Sequence, residues 1–136
     1  MRILCEYMDK KIIYKELSYK LNGIFYQLHN RLGRYCSHKQ YADAMEFLFK
    51  EEGINYEREV DVPVEFSQGL IKGNRIDFLV EKSIPIDIKV EKYITKADFM
   101  QMLRYLKATK RKLGIIANFH QRSLKPKRII NADIRI

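Results

Sequence analysis

Apolar side chains return every three or four residues at Leu17, Leu21, Ile24, Phe25, Leu28 and Leu32. That spacing lays one apolar stripe along an amphipathic helix, which Gly33 ends. Ser37 is placed to cap a second helix whose stripe is Tyr41, Ala44, Met45, Leu48 and Phe49, with Gly53 as its stop. The two predict a helical hairpin. Beyond Gly53 the period changes to two, predicting three strands: 54–66, interrupted at Pro63, then 74–80, then 84–90. Thr95 and Asp98 match a capping box that opens a third helix to about Lys110, and 113–118 reads as a further strand. The residues after Phe119 are basic and partly extended, and Pro126 argues against a helix through them. The order ααβββαβ predicts an α/β fold, a mixed sheet flanked by helices.

A length of 136 residues has room for one core, so residues 1–136 are expected to form one domain with a basic tail at 120–136. Apolar residues at 46% and charged residues at 32% describe a packed soluble protein rather than a disordered one. The apolar runs are too short to span a bilayer, and residues 1–11 carry both signs of charge without a signal-peptide core. A cytoplasmic protein is expected. Cys5 and Cys36 form no Cys-x-x-Cys pair, which excludes a zinc knuckle or disulfide framework and predicts reduced thiols.

Charge sharpens the picture once it is located. Lys and Arg number 26 against 17 acids, a net +9, and residues 99–132 hold nine bases and no acid. Arg104, Lys107, Lys110, Arg111, Lys112, Arg122, Lys125, Lys127 and Arg128 therefore carry the whole excess. Such a block attracts polyanions by counterion release, with nucleic acid first and an anionic membrane surface second; a solvated face serving solubility alone is the plainer alternative.

The candidate chemistry lies on the predicted strands 74–80 and 84–90. Ile76, Phe78 and Val80 alternate to one face and leave Asp77 on the other; Ile84, Ile86, Ile88 and Val90 do the same and leave Asp87 with Lys89. A hairpin about Glu81-Lys82-Ser83 would set the two aspartates opposite or diagonal, roughly 5–8 Å apart at Cβ. Two carboxylates that close repel unless a cation lies between them. A hard divalent ion meets that need, with the Ile88 carbonyl as a third oxygen, and an ammonium at Lys89 could serve an attacking water or a phosphoryl transition state. The alternative is that Asp87 and Lys89 are the wet face of a half-buried strand. Loops for nucleotide phosphates, a Gly-x-Ser-x-Gly elbow and a His-Glu-x-x-His helix are all missing from the sequence, and His29 and His120 are assigned no role.

Asp77, Asp87-Ile88-Lys89 and Gln101-Met102-Leu103-Arg104-Tyr105 resemble the PD-(D/E)XK nuclease superfamily with its Gln-x-x-x-Tyr helix. The stretch Leu32-Gly33-Arg34-Tyr35-Cys36-Ser37-His38-Lys39-Gln40-Tyr41-Ala42-Asp43-Ala44, together with Tyr56-Glu57-Arg58-Glu59, Leu113-Gly114-Ile115-Ile116-Ala117-Asn118-Phe119 and Leu124-Lys125-Pro126-Lys127-Arg128-Ile129, resembles the GxxExxY branch of that superfamily. The resemblance implies an αβββαβ core carrying an extra N-terminal helix. It also implies a nuclease using Mg2+ or Mn2+, with metal ligands Asp77, Asp87 and the Ile88 carbonyl, and with Lys89 at the attacking water or the transition state. Gln101 and Tyr105 share a helix face and would orient Lys89 or touch a phosphate, the alternative being plain packing. Nucleic acid, DNA ahead of RNA, would be held by Arg104, Lys107, Arg111, Lys125, Lys127 and Arg128 through backbone or shape, and a homodimer fits so small a domain.

The sequence departs from the branch at two places: His38 stands where it usually has a glutamate, and Tyr35 where it has a glycine. Three readings of His38 follow. It replaces the glutamate as a metal ligand, which would favour manganese; it marks a decayed site in a protein that only binds nucleic acid; or it is structural. Glu59 is a weaker spare acid.

Overall fold

The computed structural model describes all residues except Met1, Lys72, Asn74, Arg135 and Ile136, and describes residues 2–13 and 64–66 without their side chains. Helix α1 runs Arg2–Leu32 and α2 His38–Glu51; strands β1 Tyr56–Asp61, β2 Val64–Phe66, β3 Gly69–Ile71, β4 Arg75–Val80 and β5 Ile84–Lys89 follow. Helix α3 (Lys96–Thr109), β6 (Leu113–Asn118) and β7 (Lys127–Ile130) complete the order. Five strands form one sheet, β1-β4-β5-β6-β7, in which only β5 and β6 pair parallel, joined by α3 as the crossover. This is the mixed, helix-flanked α/β sheet that the pattern predicts.

Two predictions are corrected. The strand expected over 54–66 is two: β1 ends before Pro63, and β2 pairs with β3 in a separate two-stranded ribbon that the period-two pattern did not anticipate. The cause is local, since proline cannot donate to a ladder. The basic tail contains β7, an edge strand antiparallel to β6, of which Ile129 is the one fully covered side chain. Asn74, predicted to begin a strand, lies outside the described residues, as does the side chain of Cys5; Cys36 is a free thiol.

Each helix layer covers one face of the sheet. Leu21, Ile24 and Phe25 of α1 and Tyr41, Met45 and Phe49 of α2 pack on Phe78, Val80, Ile84, Ile86 and Ile88. Met102, Tyr105 and Leu106 of α3 cover the opposite face with Ile76, Ile116 and Ile129. Burying such side chains yields roughly 1.5–3 kcal/mol each, so the two apolar layers fix the sheet between them. Helix α2 begins with the predicted Ser37 cap, completed as a box by Gln40, whose side chain accepts from the Ser37 amide at 2.8 Å. Tyr41 stacks on Phe119 at 4.4 Å and donates its hydroxyl to the Gly33 carbonyl, which ties the α1–α2 loop to the end of β6.

Strict alternation fails in one place. Ile76 packs in the α3 layer while Phe78 and Val80 pack in the other, so the three do not share a face. The facing strand does the same: Tyr56 and Arg58 lie on the α2 side, Val60 on the α3 side. Between them the backbone of Glu59 is left-handed, at φ 57°. That conformation costs a non-glycine residue about 1 kcal/mol or more. It lets both strands exchange faces across Glu59 and the residue that register sets opposite it, Asp77.

Candidate active site

The β4–β5 ladder pairs Val80 with Ile84, Leu79 with Pro85 and Phe78 with Ile86, and pairs no further. One step on, the same register sets Asp77 opposite Asp87 where the strands part. The gap is filled by side chain: Asp77 Oδ2 accepts from the Ile88 amide at 2.6 Å. His38, the first residue of α2, brings Nε2 to 3.1 Å from Asp77 Oδ1. Asp87 faces the α3 layer, where Lys89 Nζ stands 3.2 Å from its Oδ2 and 3.6 Å from Asp98 Oδ1.

The result is a row of ionisable groups, His38, Asp77, Asp87, Lys89 and Asp98, with two like carboxyls side by side within it. Burial pushes the Asp87 carboxyl up, Asp77 beside it pushes further, and the attraction of Lys89 offsets only part of this, leaving Asp87 at about 7. Burial also pushes Asp77 up, but hydrogen bonds from His38, Asp87 and the Ile88 amide outweigh it and hold Asp77 below the ordinary carboxylate value. The two carboxylates are therefore pushed apart in proton affinity, Asp87 upward and Asp77 downward. His38 is raised chiefly by its bond to Asp77, while Lys89, despite burial, is kept charged by Asp87 and Asp98.

Gln101 and Tyr105 of α3 line a small cavity with Asp87, Arg75, Ile76 and Met102. Gln101 is exposed; Tyr105 is buried, and its hydroxyl has no partner among the described residues. The α3 residue that reaches Lys89 is Asp98, one turn earlier. In the sequence Asp98 is legible only as a capping residue, a role it also fills by accepting from the Thr95 amide at 2.9 Å. On the α2 side, His38, Asp77, Arg58 and Glu59 line an open pocket. Two of these are already engaged: Arg58 Nη1 is held by Asp43 at 2.8 Å and Glu46 at 2.7 Å, and Glu59 pairs with Arg75 at 3.1 Å.

The basic block does not form one surface. Register sets Asp87 level with Ile116 and Ile116 level with Lys127, so Lys127, with Lys125 before it, lies at the carboxylate end of the sheet. Arg104 is exposed midway along α3. Arg111 is at the other end, where its Nε donates to the Lys82 carbonyl of the β4–β5 turn at 3.2 Å. Lys107 also points there, toward Asp133 at 3.8 Å, and Lys112 donates to the Ile134 carbonyl at 2.6 Å. Arg128 lies on the opposite face, in a groove against Tyr14, Ser18 and Asn22 of α1. Of the six bases predicted to hold nucleic acid, Lys127 lies level with Asp87 two strands across the sheet, while Arg111 and Lys107 lie toward the other end and Arg128 on the other face.

Among the described residues no three His, Cys, Asp or Glu side chains converge as a ready metal cluster. His38 touches Asp77 alone, and Lys89 covers the outer oxygen of Asp87. The predicted ligand trio Asp77, Asp87 and His38 is thus a line of pairwise bonds. The two aspartates fit a divalent cation by their own chemistry: they are hard oxygen donors, half-buried and set opposite each other, so that their negative charges repel unless a cation offsets them.

Among the described residues no helix is long and apolar enough to cross a membrane. No curated protein matches the chain. The crystal structure of SSO0001 is similar in fold, with a TM-score of 0.53 at 24% identity over 92% of this chain. The match covers 61% of that protein, so this chain spans about three fifths of its length. The family model of the PD-(D/E)XK nuclease superfamily matches residues 15–129, from the second half of α1 through β7, and the chain belongs to that superfamily.

Proposed function

We propose that the chain is a divalent-metal-dependent phosphodiesterase acting on nucleic acid, of the GxxExxY branch of its superfamily, with DNA ahead of RNA as substrate. The observation that carries this is the opposition of Asp77 and Asp87 where the β4–β5 ladder opens, with Lys89 3.2 Å from Asp87. Asp77, Asp87 and the Ile88 carbonyl are the groups assigned to hold Mg2+ or Mn2+. When bound, that ion supplies a Lewis acid that polarises the scissile phosphate.

The remaining roles belong to the chain's own side chains. Lys89, kept charged by two carboxylates, offsets negative charge growing on the phosphate. His38 fixes the outer oxygen of Asp77 and so orients it. Gln101, exposed beside Asp87, offers an amide to a phosphate oxygen, and Tyr105 forms the floor of that pocket. Lys125 and Lys127 supply counter-charge to the bound backbone.

Incubating labelled DNA and RNA with Mg2+, with Mn2+ and with chelator tests the reading. The parent chain should cleave only with an ion, and Asp87→Ala should abolish cleavage while binding persists. Metal-dependent cleavage by Asp87→Ala would overturn it.

A further inference from the structure

The described residues make three cation–aromatic contacts. One, Arg58 over Phe78, is internal. The other two involve exposed tyrosines, in the segments that lead into α2 and α3. Tyr35 is 80% exposed, with the Arg34 guanidinium 5.4 Å from its ring centroid. Tyr93 is 71% exposed, with Lys92 Nζ at 5.8 Å. Other exposed aromatics, such as Tyr19 and Phe47, carry no such cation and sit on the outer faces of α1 and α2.

Position links the two tyrosines to the site. Tyr35 precedes His38 by three residues, a chain reach of no more than about 11 Å. Tyr93 follows Lys89 by four, a reach of no more than about 14 Å. One loop enters α2 and the other enters α3, so they approach the opened ladder from opposite faces of the sheet.

Both loops are held. Arg34 Nε donates to the His120 carbonyl at 2.8 Å, and the His120 ring meets the Tyr35 ring edge-on at 5.9 Å. The Asn118 side chain, fully buried, joins the two sides: its Oδ1 accepts from the Glu91 amide at 3.1 Å and the His120 amide at 3.3 Å, and its Nδ2 donates to the Glu91 carbonyl at 2.7 Å. One buried amide thus pins the segment before Lys92-Tyr93 and the residue against which Tyr35 rests. An open aromatic face fixed beside a cation is what an unstacked nucleobase and its phosphate require. Bases within a duplex are already stacked and cannot use it.

We infer that the substrate is single-stranded nucleic acid, with Tyr35 and Tyr93 as stacking platforms for unpaired bases on either side of the Asp77–Asp87 pair. This rests on the reading of that pair as a phosphodiesterase site and names its substrate class. The test is equilibrium binding by fluorescence anisotropy in chelator, using the full chain carrying Asp87→Asn so that nothing is cleaved. The probes are a short oligodeoxyuridylate, an oligouridylate of equal length and a blunt duplex.

Single strands should bind about tenfold or more tightly than duplex. Tyr35→Ala and Tyr93→Ala should each weaken single-strand binding about tenfold and leave duplex binding unchanged, while Tyr→Phe at either position retains affinity. The tighter of the two homopolymers identifies the sugar. Alanine variants with native circular dichroism that bind single strands as the parent does, or lose duplex affinity by the same factor, would overturn the inference. Because cleavage is not read, a chain without nuclease activity leaves this result standing, and lost stacking leaves metal-dependent cleavage standing.

Discussion

Replacing Asp87 by asparagine should make the metal-free protein more stable at neutral and alkaline pH, although it removes a proposed metal ligand. Asp87 is isosteric with asparagine, whose amide can donate to Asp77 as a protonated carboxyl would and whose oxygen can accept from Lys89. The difference is charge. In the folded chain burial and Asp77 push the Asp87 carboxyl up to about 7, against an ordinary aspartate value of 3.8. A folded value above the unfolded one means that the stability Asp87 contributes is complete below about pH 4 and is lost as pH rises toward 7. At about 1.36 kcal/mol for each tenfold change in proton affinity, the full loss is about 4 kcal/mol; the mutual influence of Asp77 and Asp87 brings it to about 2–4 kcal/mol.

His38, also raised, gives a slope of the same sign through and above pH 6.5, but it is present in both proteins and largely cancels. Asp77, lowered, loses its contribution only as pH falls below 3.8, outside this window. Urea and thermal melts in chelator from pH 4 to 8 should therefore show a gap near zero at pH 4 that widens in favour of Asp87→Asn. At pH 8 it should reach roughly 10 °C in Tm. Adding Mn2+ should raise the parent's Tm and not the variant's. A variant less stable than the parent at pH 8, or a gap that does not change with pH, would refute the account of the aspartate pair.

Two further outcomes follow from the same geometry. If His38 acts by orienting Asp77, His38→Gln, which keeps a donor, should retain most activity while His38→Ala loses it by about tenfold or more, and neither should change the preference between Mg2+ and Mn2+; steady-state cleavage with each ion checks this, and an altered preference would make His38 a ligand. Lys127→Ala should weaken nucleic-acid binding and reduce its salt slope by about one contact, whereas Arg111→Ala, at the far end of the sheet, should change neither; anisotropy across a salt series separates them.

The parts of the molecule legible in the sequence are those where one side-chain period runs uninterrupted. The stripe from Leu17 to Leu28 and the stripe through Tyr41, Met45 and Phe49 are buried as spacing requires, and Ile84, Ile86 and Ile88 alternate onto one face. Because β5 keeps its period, Asp87 and Lys89 could be placed on the opposite face from spacing alone. Edge elements were harder. In β7 the pattern reduces to a single buried Ile129 among bases, too little to distinguish a strand from a solvated tail. The ribbon of β2 and β3 exposes Leu70 and Ile71, so no apolar period announces it. Asp98 was hidden for a different reason: one carboxylate both caps α3 and faces Lys89, and the cap is the use that local sequence reveals.

The site itself arises where the period breaks. Had β4 alternated throughout, Ile76 would share the face of Phe78, and Asp77 would sit squarely on the α3 side of a fully paired hairpin. Instead Glu59 takes a left-handed backbone, the facing residues Val60 and Ile76 cross to the α3 layer together, and the β4–β5 ladder stops after Phe78 and Ile86. An amide that would otherwise bond across the ladder, that of Ile88, becomes available to the Asp77 carboxylate. The backbone strain at Glu59 is therefore of one piece with the chemistry: it opens the sheet at the level where two acids oppose each other, leaving Asp77 reachable by His38 from one layer while Asp87 is held by Lys89 from the other. No residue-type pattern encodes that exchange of faces, because a glutamate at φ 57° is chosen by the pairing around it rather than by its own preference.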